Sequence, residues 1–83
     1  MRQSRKYDRR GAPPRTVSIG NRRTSVRLES VMWEALADIA TEQDRPVNAL
    51  IAEIFRDHKQ ATLSSAIRVY IVDHYRAAVR GVR

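Results

Sequence analysis

Between Arg22 and Ser30 the chain alternates with period two. Thr24, Val26 and Leu28 fall on one side of an extended backbone, and Arg23, Ser25 and Arg27 on the other. Threonine and valine suit a pleated, half-buried surface, so the stretch reads as a short strand. Everything that follows carries helical periodicity, which leaves this strand with few partners in its own chain. A lone strand exposes a row of backbone donors and acceptors, an arrangement folded proteins avoid. The economical partner is the same strand of a second copy across a two-fold axis. The expected product is an intermolecular antiparallel two-stranded ribbon, its outer face formed by Arg23, Ser25 and Arg27 of each chain. Such a ribbon fits the major groove of duplex DNA, and arginine is the side chain best shaped for bidentate contacts to guanine edges and phosphates.

The charge distribution points the same way. Net charge is +7 over 83 residues, yet residues 1–27 hold nine Lys/Arg against a single acid, Asp8, and residues 28–83 hold seven against eight. A basic excess confined to one third of a chain implies a polyanionic partner, nucleic acid first and an acidic membrane surface second. Residues 1–15 have almost no apolar content and end in Gly-Ala-Pro-Pro-Arg. They read as a disordered basic arm, whose Arg2, Arg5, Lys6, Arg9, Arg10 and Arg15 would follow a phosphate backbone and add salt-dependent affinity. The next residues, Thr16 to Ile19, are β-prone and precede Gly20-Asn21, a dipeptide compatible with a two-residue hairpin turn. Val17 and Ile19 are therefore candidates for a minor outer strand; whether this run joins the sheet is open at the level of sequence.

Three helices follow. Ser30 is the candidate N-cap of the first, over about 31–42, with Met32, Trp33, Leu36, Ile39 and Ala40 on its apolar side. Pro46 fits the first position of the second, over about 46–58, where its missing N–H is not needed; Val47, Leu50, Ile51, Ile54 and Phe55 form the stripe. Thr62 caps the third, over about 63–79, which carries Leu63, Ala66, Ile67, Tyr70, Ile71 and His74, with Gly81 near its end. Three such stripes exceed what one short chain is expected to hide against a ribbon. An obligate dimer is expected, with Val26, Leu28, Trp33, Leu36, Ile39, Leu50, Ile51 and Ile54 in a shared core.

Several functions are disfavoured. The chain has no cysteine, so disulfides and thiolate metal sites are excluded. His58 and His74 stand 16 residues apart without a neighbouring ligand, which argues against a metal or other cofactor. Ser64 and Ser65 lack a recognisable base and orienting acid and sit where hydroxyls bond helix N–H groups, so no enzymatic activity is expected. No apolar run approaches the roughly 20 residues of a membrane span, and the basic start lacks the apolar segment of a secretory signal. A cytoplasmic protein without a membrane partner is expected.

Strand, helix, turn, helix with alternating basic residues on the strand resembles the ribbon-helix-helix family of bacterial DNA-binding proteins, the MetJ/Arc type. Arg-Thr-Ser-Val-x-Leu-Glu at 23–29, Trp33 with Ala35-Leu36, Asn48-Ala49-Leu50-Ile51, and Leu63 to Tyr70 together are similar to a subgroup with an extra C-terminal helix, over about residues 16–76. The resemblance implies a mainly helical homodimer with a short β-ribbon, reading bases through Arg23, Ser25 and Arg27. It also implies phosphate anchoring at the start of the second helix. The family usually has Gly, an aliphatic residue and Ser leading in. This chain has Asp44, Arg45 and Pro46, leaving Val47, Asn48 and Arg45, with Arg22 nearby, as phosphate candidates. The implied function is a sequence-specific transcriptional regulator that represses by occupying a promoter, as a dimer or a higher-order assembly on DNA. Two alternatives carry different signatures. A protein-interaction regulator, such as an antitoxin or a factor binding the transcription machinery, would show an apolar outer face on the third helix. A non-specific nucleic-acid-binding protein would need only the arm.

Overall fold

The computed structural model describes residues 14–81, in the order β1 (Arg15–Ile19), β2 (Arg22–Val26), α1 (Ser30–Glu42), α2 (Val47–Asp57) and α3 (Leu63–Gly81). The two strands pair antiparallel within the chain, with Arg15 opposite Val26, Thr16 opposite Ser25, Val17 opposite Thr24, Ser18 opposite Arg23 and Ile19 opposite Arg22. The Thr16–Ile19 run thus joins the sheet and gives β2 a strand partner within its own chain. The loop explains why. Gly20 takes φ 60 and Asn21 stays on the negative side, the pattern of a two-residue II′ turn whose twist matches the strands it joins. A Cβ at Gly20 would meet nothing within 4 Å, so its positive φ and not a shortage of space calls for glycine. The second edge of β2 pairs with no strand among the described residues.

Residues directly opposite in an antiparallel pair share a face. One face of the hairpin carries Val17, Ile19, Thr24 and Val26 and lies on the helices, where Val17 and Val26 are buried. Leu28 continues that face and is also buried. Each helix turns its apolar stripe to the same centre: Trp33, Leu36, Ile39 and Ala40 from α1, Leu50, Ile51 and Ile54 from α2, Ala66, Ile67 and Ile71 from α3. Leu36, Ile39, Leu50, Ile51 and Ile67 are fully enclosed, at 0% exposure. The eight residues expected in a core shared by two chains are therefore buried already within one. Burial alone thus does not require a second chain.

The helix ends differ from expectation in small, explicable ways. The N-cap of α1 is Glu29, not Ser30: its carbonyl accepts N–H bonds from Met32 (2.9 Å) and Trp33 (3.2 Å), and it makes no side-chain cap. Pro46 is the N-cap of α2 rather than its first residue, because ψ 151 keeps it extended. Thr62 caps α3 as expected, its Oγ1 accepting the Ser65 N–H at 3.1 Å. Between α1 and α2, Arg45 N–H reaches the Ala40 carbonyl and Asp44 N–H the Thr41 carbonyl, both at 3.0 Å. This is the Schellman closure, and it forces Asp44 to φ 57, a left-handed position more often filled by glycine.

Candidate nucleic-acid interface

The outward face of the hairpin follows from the register. Arg23 and Ser25 of β2 point away from the helices and are exposed, as is Arg27 just beyond the strand. Ser18 stands opposite Arg23 and Thr16 opposite Ser25, both exposed on that face. The three side chains expected to read bases thus share one surface, joined by two hydroxyls that sequence reasoning missed. The signal was available: once the Gly20-Asn21 turn pairs 15–19 with 22–26, Thr16 and Ser18 must share a face with Arg23 and Ser25. Residues 14–28 contain four arginines and no acid, so nothing along the hairpin itself offsets the positive field.

Two of those four arginines also reach the helices. Arg15, expected in the arm, begins β1, and its guanidinium lies over the Trp33 ring, 4.5 Å from the centroid. Arg22, expected to touch phosphate, lies over Phe55 at 5.7 Å. Both sit on the helix-facing side, at opposite ends of the hairpin, where an inward polar position is tolerable because the stem covers apolar surface and the cation meets a ring face. Arg2, Arg5, Lys6, Arg9 and Arg10 lie outside the described residues.

The end of the reading strand is tied to α3. Ser64 Oγ–H donates to the Arg27 carbonyl at 3.3 Å. Arg68 grips the Glu29 carboxylate, Nε to Oε1 at 3.2 Å and Nη2 to Oε2 at 3.4 Å. The first turns of α3 thereby fix the backbone direction at Arg27. Ser64 is a fastening residue, which accounts for a serine that could be mistaken for a nucleophile.

The start of α2 offers two backbone donors beside a proline cap. Pro46 has no N–H, and the Ala49 and Leu50 N–H groups already reach its carbonyl at 3.1 and 3.2 Å. Val47 and Asn48 supply the remaining N–H groups of the first turn. Asp44 precedes them with a charge of the wrong sign. Arg45 is turned along the helix: its Nη1 stands 2.6 Å from Glu53 Oε1 and 3.2 Å from Gln43 Oε1, and its Nη2 donates to the Ala49 carbonyl at 3.2 Å.

Elsewhere, His74 Nε2 lies 3.1 Å from Glu42 Oε1 and ties α3 to α1, and Gln43 Nε2 donates to the Tyr70 hydroxyl at 3.2 Å. Slight desolvation of a largely exposed side chain first, then the charges of Asp38 and Glu42, raise the Tyr75 hydroxyl above its ordinary pKa of 10.0. Among the described residues no three His, Asp or Glu side chains cluster as a metal site would need, and no helix is long and apolar enough to cross a membrane. Along the outer side of α3, Val69, Val72, Tyr75 and Val79 are exposed, Val79 at 74%.

Compared with known families, residues 13–75 match a family model described as a ribbon-helix-helix domain. Comparison with curated proteins and with solved structures gives no match.

Proposed function

The chain belongs to the ribbon-helix-helix family of DNA-binding transcription regulators, and from that premise we propose that it is a homodimeric repressor whose hairpin face enters the major groove of duplex DNA. One observation carries the reading: Arg23, Ser25 and Arg27 share the exposed face of a strand whose other face is fixed in the core. Arg23 and Arg27 supply the bidentate donors that read guanine, each good contact being worth about 1–3 kcal/mol against the wrong base. Ser25 bonds either kind of base and discriminates little. The free edge of β2 pairs with its mate across the two-fold axis, which satisfies the exposed backbone groups and sets two reading strands side by side. A two-fold protein reads a pseudo-palindromic site, or tandem half-sites where dimers assemble further. The arm adds affinity for any sequence, and the site of action is the bacterial cytoplasm.

Genome fragments captured on purified protein at near-physiological salt test this. Wild type should enrich a few sites sharing a two-fold motif, and the triple variant Arg23→Ala, Ser25→Ala, Arg27→Ala should lose them. Diffuse recovery unchanged in the variant would instead make the arm the binding element.

A second reading rests on the exposed row Val69, Val72, Tyr75 and Val79, the apolar outer face that a protein-binding regulator would show. It predicts that Val72→Asp with Val79→Asp abolishes regulation in cells while leaving DNA binding of the purified protein intact.

A further inference from the structure

We propose that the outer strand β1 binds phosphate, with the hydroxyls of Thr16 and Ser18 bonding the DNA backbone at the groove walls. The inference rests on the reading of β2 as the base-contacting strand. It begins from a mismatch of widths. Pairing two hairpins through the free edges of β2 gives the strand order β1, β2, β2, β1, so that β2 lies beside the two-fold axis and β1 outside it. Strands are spaced about 4.8 Å apart, which puts each β1 about 7 Å from the axis, whereas the major groove is only about 12 Å wide. Half that width is about 6 Å. The β2 pair fits inside the groove, and β1 falls on its walls, where the phosphates are.

The chemistry of each strand suits that division. On the shared outward face β2 presents Arg23 and Ser25, long and forked or able to bond either base. At the matching positions β1 presents Thr16 and Ser18, short hydroxyls that donate to a phosphate oxygen and could not span the depth of the groove. The rest of the molecule leaves room for such a role. The N-terminus of α2 has a proline at its cap, an acid at position 44, and an arginine bound to Glu53 and to the Ala49 carbonyl. β1 is also continuous in sequence with the basic segment that precedes it.

The test uses the full chain and a recovered duplex carrying single neutral methylphosphonates at each backbone position in turn. Thr16→Val with Ser18→Ala should bind every duplex about a hundredfold more weakly or worse, the loss of at least one hydrogen bond to a charged acceptor from each chain of the dimer, with base preference unchanged. A pair of symmetric methylphosphonates that weakens wild type should no longer weaken this variant. The swap Thr16→Ser with Ser18→Thr, which keeps both hydroxyls, should restore most of the affinity, separating a lost contact from a damaged strand. Unchanged affinity, altered base preference, or full methylphosphonate sensitivity in the variant would each overturn the assignment to β1. If instead Arg23→Ala with Arg27→Ala left base preference as it was, the assignment of base reading to β2 would fall, and this inference with it.

Discussion

Asp44→Gly should make the protein more stable. Asp44 holds the left-handed position that closes α1, with φ 57. A side chain there brings Cβ toward a carbonyl oxygen at a cost of roughly 1–2 kcal/mol, less for aspartate, whose short polar group bonds locally. Its carboxylate also sits at the negative end of the α1 dipole, which adds about 0.3–1 kcal/mol. Glycine relieves both and gives back about 0.4–1 kcal/mol through a freer unfolded chain. The net expectation is about 1 kcal/mol of stabilisation, or roughly 4–8 °C in Tm for a chain of this size. Urea unfolding followed by far-UV circular dichroism, at one fixed protein concentration, measures it, and the m value should not change. Asp44→Asn separates the contributions: it removes the charge, keeps the tolerance for this conformation, and should recover only the dipole part. A glycine variant no more stable than wild type would refute the reasoning, because Asp44 would then be held by something that offsets both costs.

Other outcomes follow from the same contacts. Gly20→Ala should cost about 1 kcal/mol in the same unfolding assay, since the side chain finds space but not a favourable φ. Arg68→Ala should cost about 0.5–1 kcal/mol for a partly exposed pair, and a double-mutant cycle with Glu29→Ala should show the two losses to be non-additive. Tyr75 retains its proton more firmly folded than unfolded. Its contribution to stability is therefore complete below about pH 10 and is lost as pH rises through the higher folded value. Alkaline unfolding curves should be shallower for Tyr75→Phe above that pH, and indistinguishable from wild type below it.

Much of this fold was legible in the residues. Leu36, Ile39, Leu50, Ile51, Ile54, Ala66 and Ile67 sit at helical spacing because each helix buries one stripe, and the structure buries those residues. The Val26 and Leu28 alternation likewise located the inner face of β2. The partner of that strand was a candidate in the sequence, left open there, and the register fixes it. Five residues of β1 give a weak pattern, and only the φ of Gly20 turns Thr16–Ile19 back along β2. Arg15 and Arg22 alternate onto the helix side, where their guanidinium groups lie over Trp33 and Phe55. Neither contact has a signature in local sequence, because each joins the hairpin to a helix more than ten residues away. The face holding Arg23, Ser25 and Arg27 was visible from period two alone; its Thr16 and Ser18 half required the register.

The central claim is that the hairpin face reads guanines in the major groove, and methylation protection at guanine N7 tests it most directly. On a recovered site, wild type should protect guanines placed symmetrically about the centre. Arg23→Ala and Arg27→Ala should each release a different symmetric pair while the remaining protection persists. Protection that is the same in both variants, or confined to adenine N3 in the minor groove, would contradict the account.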